Sequence, residues 1–487
     1  MAPAELSISR RKTALPAVAI ALIAGTLAAA AKSPAAIALL AAAPLAALLL
    51  WYAFASPVHW PLLFCAAAIL LPPLPIAIGG GEAHPSLLVA AAGLLAGLAR
   101  LRQWRIRSDA LNASLFALIA AFSLSLGFAA LYSGWAVAGA SAARLLLLAL
   151  GVYVYFFASQ GPGRSSLRHA GQTARRLFWI ASAAALFACI DFFFQLPAPA
   201  GFGAQFIWLD TGVFRRAQGL FYDAGALGNF CAFFLAMSVA SLTGRNLLPR
   251  PAAAFGLVVF LAALLLSFSR AALGAAAISC LALAALEPKI WAKRRLLLAV
   301  AAPALATAVA FLLLRPDLAS TYLARLDFGS ASATPERFFS GRLETWRVLA
   351  RFMAAHPWQT LLGVGYKTLP YSRHLGSPLI ADNMCLSTLL ETGVFGLAAL
   401  LAACAAILAA SLRAARLAAE PRGPHSPQPL GSFFGRWMFC FWIGEMFQML
   451  LGDVLTFWRV LPACFWVLAQ VSNANASSGD SPHRSVW

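Results

Sequence analysis

The chain has 487 residues, of which 61% are hydrophobic and only 11% charged. That balance excludes a soluble globule: apolar runs near the length needed to cross a bilayer core of ~30 Å recur along nearly the whole chain. The formal net charge of +19 reads as loop charge that orients membrane spans, and with no basic, aromatic-laced soluble segment, nucleic acid is not an expected partner.

Backbone polar groups in lipid must be satisfied within the segment, and Ala and Leu favour helices over the alternating strands of a barrel. The expected fold is all-α: a polytopic integral membrane protein with about 12–14 transmembrane helices and one long, partly helical periplasmic loop. The eight cysteines lie almost entirely in apolar runs without a CxxC pair, so they read as small packing residues, neither disulfides nor metal ligands.

The first run follows Arg10, Arg11 and Lys12 and resembles a signal peptide; further spans follow at once, so it reads as a retained helix. In chain order the spans fall near 14–31, 34–55, 58–78, 85–101, 110–132, 136–158, 176–196, 218–243, 251–268, 270–286, 296–314, 383–411, 431–450 and 454–471. With the N-terminus in the cytoplasm, alternate exits meet basic loops: Arg100 to Arg107, Arg164 to Arg176, Arg245 and Arg250, Lys289 to Arg295, Arg413 to Arg422. Most opposite loops are short and nearly uncharged, as the positive-inside rule requires. The chain divides into N-terminal spans (1–214), spans with outer-face Arg motifs (215–314), a periplasmic loop (315–381), C-terminal spans (382–471) and a polar cytoplasmic tail (472–487).

The exceptions to the charge rule point to function. Arg215 and Arg216, Arg270, and the 315–381 loop all bring cations to the outer face, which makes a candidate anion site. The Arg215-Arg216 pair can grip a phosphate bidentately or reach headgroups as interfacial arginines. Arg270 stands where a helix begins, with Ser267 or Ser269 as possible N-cap, and helix N–H groups would add to its guanidinium. In the loop, Leu343, Trp346, Ala350 and Met353 make one apolar helical face, while Glu344, Arg347 and Arg351 share another. This reads chiefly as an amphipathic helix on the membrane surface, with Arg342 at its start as a contact to an anionic substrate. His356 before Pro357 ends that helix. Gly363-Val364-Gly365-Tyr366-Lys367 permits close backbone approach and reads as a turn. Asp382 starts the next span, as its N-cap or as a carboxylate facing the arginines. Glu391, two turns further into the membrane, is a functional candidate by its depth. Asp191, Glu445 and Asp453 read as packing or water-cavity groups.

From Arg215 to Gly396 the chain resembles the bacterial O-antigen ligase and polymerase superfamily, multi-span GT-C-like glycosyltransferases. The resemblance rests on ordered motifs: Arg216-x-x-x-Leu220, Ser267-Phe-Ser-Arg270, Ser340-Gly341-Arg342 with Trp346, Gly363-Val-Gly365-Tyr366, and Asp382-Asn383 running to Glu391-x-Gly393. It implies transfer of a glycan from an undecaprenyl-diphosphate donor to a sugar hydroxyl of a glycan or lipid-linked acceptor. The setting would be lipopolysaccharide or exopolysaccharide synthesis, at the periplasmic face of the bacterial inner membrane, with no metal or other cofactor. It assigns donor binding to Arg216 and Arg270, and extends the substrate-binding set to Arg215, Arg342, Tyr366, Asn383 and Glu391. The family ligases carry a catalytic His with ten residues between it and a Gly; here Asp382 holds that place, ten residues separating it from Gly393, with His374 the alternative base. The departure favours a relative that polymerises or transfers another envelope glycan. A lipid-linked glycan flippase and a non-catalytic relative are the competing readings.

Overall fold

Long apolar helices form wherever the hydropathic runs are unbroken. The computed structural model describes residues 51–73, 84–197, 205–209, 212–244, 247–286, 342–371, 379–416 and 430–479, with 77–78, 81–82 and isolated positions elsewhere. The expected span 14–31 and the whole 315–341 region lie outside the described residues, as do most of 34–55 and of 296–314, and Arg373 and His374.

The described helices are α1 (Trp60–Leu70), α2 (Ser86–Ala99), α3 (Ala110–Ser133), α4 (Trp135–Ser159), α5 (Leu167–Phe194), α6 (Ala224–Gly244), α7 (Arg250–Leu266), α8 (Arg270–Leu286), α9 (Arg342–Ala355), α10 (Pro357–Leu362), α11 (Met384–Arg416), α12 (Leu430–Met449) and α13 (Leu461–Gly479). Among the described residues, α3, α4, α5, α6 and α11 are long and apolar enough to cross a membrane, and α1, α2, α7 and α8 are shorter apolar helices. The chain is an all-α polytopic membrane protein. All eight cysteines are free thiols, as their placement in apolar runs predicts.

Two short antiparallel hairpins interrupt the helices: β1 (Ala77–Ile78) with β2 (Gly81–Glu82), and β3 (Phe206–Leu209) with β4 (Gly212–Arg215), the latter in register Phe206 to Arg215. The sequence reading contained neither.

Helix ends follow local chemistry. Asp109 caps α3 by accepting the Asn112 amide at 2.8 Å, and Ser166 caps α5 through the His169 amide. The α3–α4 hairpin turns at Gly134, whose φ of 87° an L side chain rarely adopts. In the bundle, α12 packs on α11, α8 and α6, while α4 packs on α13 and α3. Trp437 is fully buried at the centre, and its indole N–H donates to the Phe233 carbonyl at 2.8 Å. An apolar surround with no such partner would cost about 1–3 kcal/mol.

Up-and-down connectivity gathers one set of helix ends. The start of α4, the end of α5, the starts of α6, α8 and α11 and the ends of α7 and α12 share one end of the bundle. The basic segment Arg100 to Arg107 and the α11 terminus with Arg413 and Arg416 belong to the other.

Candidate active site

At the first of these ends lies a cavity of about 520 Å³. Four cations line it (Arg144, Arg216, Arg342 and Lys367), together with four carboxylates (Asp223, Asp382, Glu391 and Asp453). Each is delivered by a local device.

The β3–β4 hairpin separates two adjacent arginines. Side chains alternate along a strand, so Arg215 and Arg216 go to opposite sides. Arg215 pairs with Asp191 of α5 at 2.6 Å, both side chains nearly buried, and its backbone N–H donates to Gln195 Oε1. Arg216 turns to the cavity, its Nε donating to the Ser267 carbonyl at 2.7 Å and its amide to Gln205 O at 2.8 Å.

Three helix N-termini converge on the same space. Asp223 accepts the Ala226 amide at 2.8 Å and so caps α6. Ser269 caps α8 through the Ala272 amide at 3.4 Å and the Leu273 amide, the second of the two caps the sequence offers. Asn383 caps α11, its Oδ1 accepting the Leu386 amide at 3.0 Å. Lining residues come from all three: Gly225, Ala271 and Ser387. Helix N-termini carry partial positive charge and free N–H groups, which suits a multiply charged anion.

The cap assignment corrects one expectation. Asp382 is not the N-cap of its helix. It sits at φ 45°, and with Asn383 doing the capping its carboxylate reaches Arg342, 3.3 Å from Nε. The apolar face of α9 is also shifted from the expected one: Ala350 is exposed, while Leu349 and Phe352 are buried against Val364, Leu369, Ala381 and Leu390. The helix packs on the bundle end, and Trp346 holds it there by donating to the Ala381 carbonyl at 2.7 Å. His356 lies between α9 and α10, where the helix ends as expected.

Glu391 is placed by a break in α11 at Gly393, whose φ of 74° and ψ of −174° are non-helical. The break leaves carbonyls for another strand of chain: the Val364 amide donates to Leu390 O at 2.9 Å and the Gly365 amide to Glu391 O at 2.8 Å. The two glycine motifs are therefore halves of one backbone lock. A Cβ on Gly363 would stand 2.5 Å from Glu391 O, and one on Gly393 would stand 2.3 Å from Leu361 O.

The lock also projects Lys367, which is nearly buried between two carboxylates. Its Nζ contacts Asp453 Oδ2 and lies 3.9 Å from Glu391 Oε2. Burial lowers its pKa, while the Glu391 carboxylate opposes that shift. Asp453 Oδ1 is buried and has no hydrogen-bond donor among the described residues. Arg144 enters from within α4, nine residues after its start, or about 13 Å along the axis. Its Nη1 donates to the Lys367 carbonyl at 3.1 Å.

Of the residues expected from sequence, Arg216, Arg342, Asp382 and Glu391 come together in the cavity. Arg215 turns away toward Asp191. Arg270 opens α8 between the lining residues Ser269 and Ala271, and its own side chain is not among the lining groups. Asn383 acts as a cap. Tyr366 is buried beside Phe122 with ring centroids 4.9 Å apart and lines a neighbouring cavity. His374 lies outside the described residues. Sequence reasoning passed over Arg144, Lys367, Asp223 and Asp453 as site residues. A cation in the middle of an otherwise apolar span was the available signal for Arg144.

Residues 255–401 match the model of the O-antigen ligase family. The match runs from α7 into α11 and includes Ser269, Arg342, Lys367, Asp382 and Glu391. Arg144, Arg216, Asp223 and Asp453 lie outside it. No curated protein matches the chain.

Proposed function

We propose, from the premise that the chain belongs to the O-antigen ligase/polymerase superfamily, that it transfers a glycan from an undecaprenyl-diphosphate donor to a sugar hydroxyl. The site would be the periplasmic face of the bacterial inner membrane, in lipopolysaccharide or exopolysaccharide synthesis. The observation that carries the reading is the convergence of Arg216, Arg342 and the N-termini of α6, α8 and α11 on one cavity that also holds the Asp382 carboxylate.

The chemistry fits these groups. The acceptor oxygen attacks the anomeric carbon of the donor sugar and forms the new glycosidic bond. The bond from that carbon to the diphosphate oxygen breaks, and its electron pair leaves with the diphosphate. Arg216, Arg342 and the helix N–H groups stabilise the charge that develops there. Asp382 accepts the hydroxyl proton as general base, held in place by Arg342 at 3.3 Å. Lys367 balances Glu391 and Asp453, so that the carboxylates near the acceptor are not left as uncompensated charges. Asp453 Oδ1 supplies an acceptor for a sugar hydroxyl.

A flippase reading draws on one observation, the broken α11, because discontinuous helices are common in transporters. The gathering of charged groups at one end of the bundle favours the transferase. The test is a deletion strain complemented with wild type, Arg216→Ala or Asp382→Asn, with surface glycan and lipid-linked intermediates measured. Failure of both variants at normal protein level, with lipid-linked glycan accumulating on the periplasmic side, supports transfer. Accumulation on the cytoplasmic side points to a flippase, and full rescue by both variants overturns the site.

A further inference from the structure

One buried ionisable side chain has no part in the chemistry above. Glu445 lies inside α12, 3% exposed, and does not line the 520 Å³ cavity. A carboxyl group in such a place is costly unless a donor meets it. The donor is buried Asn229 of α6, whose Nδ2 donates to Glu445 Oε2.

The second hydrogen of the same NH2 group makes another bond. It donates to Gln448 Oε1 at 3.3 Å. Glu445 and Gln448 stand three residues apart and share one face of α12, so a single buried amide bridges them. Unlike Glu445, Gln448 lines the cavity. The three side chains form a path of hydrogen bonds from the bundle interior to the wall of the candidate site.

This path decides which end of Gln448 faces the cavity. A side-chain amide has one oxygen that accepts and one NH2 that donates, and its partners fix which way it points. The Glu445 oxygen, an acceptor, turns the Asn229 NH2 toward α12. Facing that NH2, Gln448 points its own oxygen inward, which leaves Nε2 with two N–H donors for the cavity. Among the described residues no oxygen accepts from Nε2.

The surroundings indicate what such a donor meets. A Cβ on Gly228, the residue before Asn229, would stand 2.8 Å from the Ala272 side chain and 3.1 Å from that of Ser269, the cap of α8. A Cβ on Gly274 in the same helix would stand 2.6 Å from the ring of Phe447, the neighbour of Gln448. Gln448 is therefore set beside the first turns of α6 and α8. Its carbonyl accepts the Leu451 amide at 2.9 Å, at the start of the turn that brings Gly452 and Asp453 to the lining. A fixed neutral N–H donor next to two helix N-termini extends an oxyanion site without adding charge.

We propose that Gln448 is a binding residue for the donor diphosphate, donating from Nε2 to a phosphate oxygen, with Asn229 and Glu445 as the positioning residues that hold it so. This deepens the transferase reading and rests on it for the identity of the anion. A sugar hydroxyl is the other oxygen the amide could meet, and the test separates the two.

Full-length protein in detergent is titrated with farnesyl diphosphate by calorimetry. Gln448→Met keeps the length of the side chain and removes the donor. Loss of one hydrogen bond to a charged group should raise Kd about tenfold. Glu445→Met frees the Asn229 amide and should raise Kd severalfold. Glu445→Gln keeps a carbonyl oxygen for that amide and should stay within about twofold of wild type. In the Gln448→Met background, Glu445→Met should raise Kd no further, because Glu445 acts only through Gln448. Asn229→Leu breaks the same path from α6 and takes the place of Glu445→Met where that variant does not fold.

An unchanged Kd in Gln448→Met overturns the proposal, and loss of glycan transfer in that same variant would reassign the contact to a sugar hydroxyl. Equal factors for Glu445→Met in both backgrounds overturn the positioning role, as does equal damage from Glu445→Gln and Glu445→Met. Arg216→Ala tests the underlying reading. Absence of binding by wild type, or full binding by Arg216→Ala, removes the cavity as the diphosphate site and this proposal with it. Impaired binding by Arg216→Ala beside normal binding by Gln448→Met overturns the role of Gln448 alone.

Discussion

Arg342 Nε lies 3.3 Å from Asp382 Oδ2, tying the first residue of α9 to the residue that precedes the cap of α11. The Asp382 side chain is 49% exposed and that of Arg342 26% exposed, so the pair contributes little to stability. What the pair does is positional: it places a carboxylate in the cavity beside Arg216 and Arg342. Asp382→Asn is expected to leave the thermal midpoint of the purified protein nearly unchanged, because Asn tolerates the positive φ found there. Glycan transfer should fall about 10²- to 10⁴-fold, the range for loss of a general base. A variant that retains transfer within a few fold removes Asp382 from the chemistry.

The lock between Gly363 and Gly393 makes a different prediction. Both sit at positive φ, and a Cβ on either would meet backbone of the other segment within 2.5 Å. Gly363→Ala and Gly393→Ala should each cost about 1–3 kcal/mol from backbone strain, with more from the clash. Thermal unfolding should show lowered midpoints, and transfer should fall with them because Glu391 and Lys367 lose their placement. The double variant should be less damaging than the sum, since one backbone contact is lost in both.

Helices were readable from sequence because burial in lipid or in a helix bundle leaves long apolar runs: the expected spans at 110–132, 136–158 and 270–286 reappear as α3, α4 and α8 with ends within a residue or two. The site was partly readable, because Arg216, Arg342, Asp382 and Glu391 interrupt apolar or neutral surroundings near span ends. What remained hidden depends on tertiary contact. The start of α13 at Leu461, later than the apolar run beginning at 454 implies, reflects a turn that carries Asp453 to Lys367. The face of α9 was misplaced because the helix packs against Tyr132 and the 364–369 loop instead of a flat surface. Arg144 was averaged away by the hydropathy of its own span. Asp382 and Asn383 are both good caps, and only the backbone turn at φ 45° decides between them.

The hairpin β3–β4 predicts opposite phenotypes for neighbouring arginines. Arg215 and Asp191 form a nearly buried pair, with side chains 12% and 7% exposed. Removing one partner leaves an uncompensated charge, so Arg215→Ala should destabilise the protein by about 3–5 kcal/mol. Pairing Arg215→Gln with Asp191→Asn should be milder than either single change. Arg216→Ala should instead retain most of the thermal stability and lose donor binding, read as an increased KM for the lipid-linked donor. Equal effects of both variants on midpoint and KM would contradict this division of roles.

His84 predicts a pH dependence of stability. Burial and Arg459 lower its pKa from the ordinary 6.5 to about 4. Between those values the unfolded chain binds a proton that the folded protein refuses, so stability rises with pH across this window. Read downward, acidification from about 6.5 toward 4 favours unfolding, and the loss levels off below 4, where both states carry the proton. The thermal midpoint of the wild type should fall over this range. His84→Asn should give a flatter profile: the asparagine can still donate to the Leu71 carbonyl and accept from Ser86, but it does not titrate. Other groups contribute slopes common to both proteins, so the difference between the two profiles isolates His84. Parallel profiles would mean that the imidazole takes up its proton in the folded state without cost, contrary to its anchoring at both nitrogens.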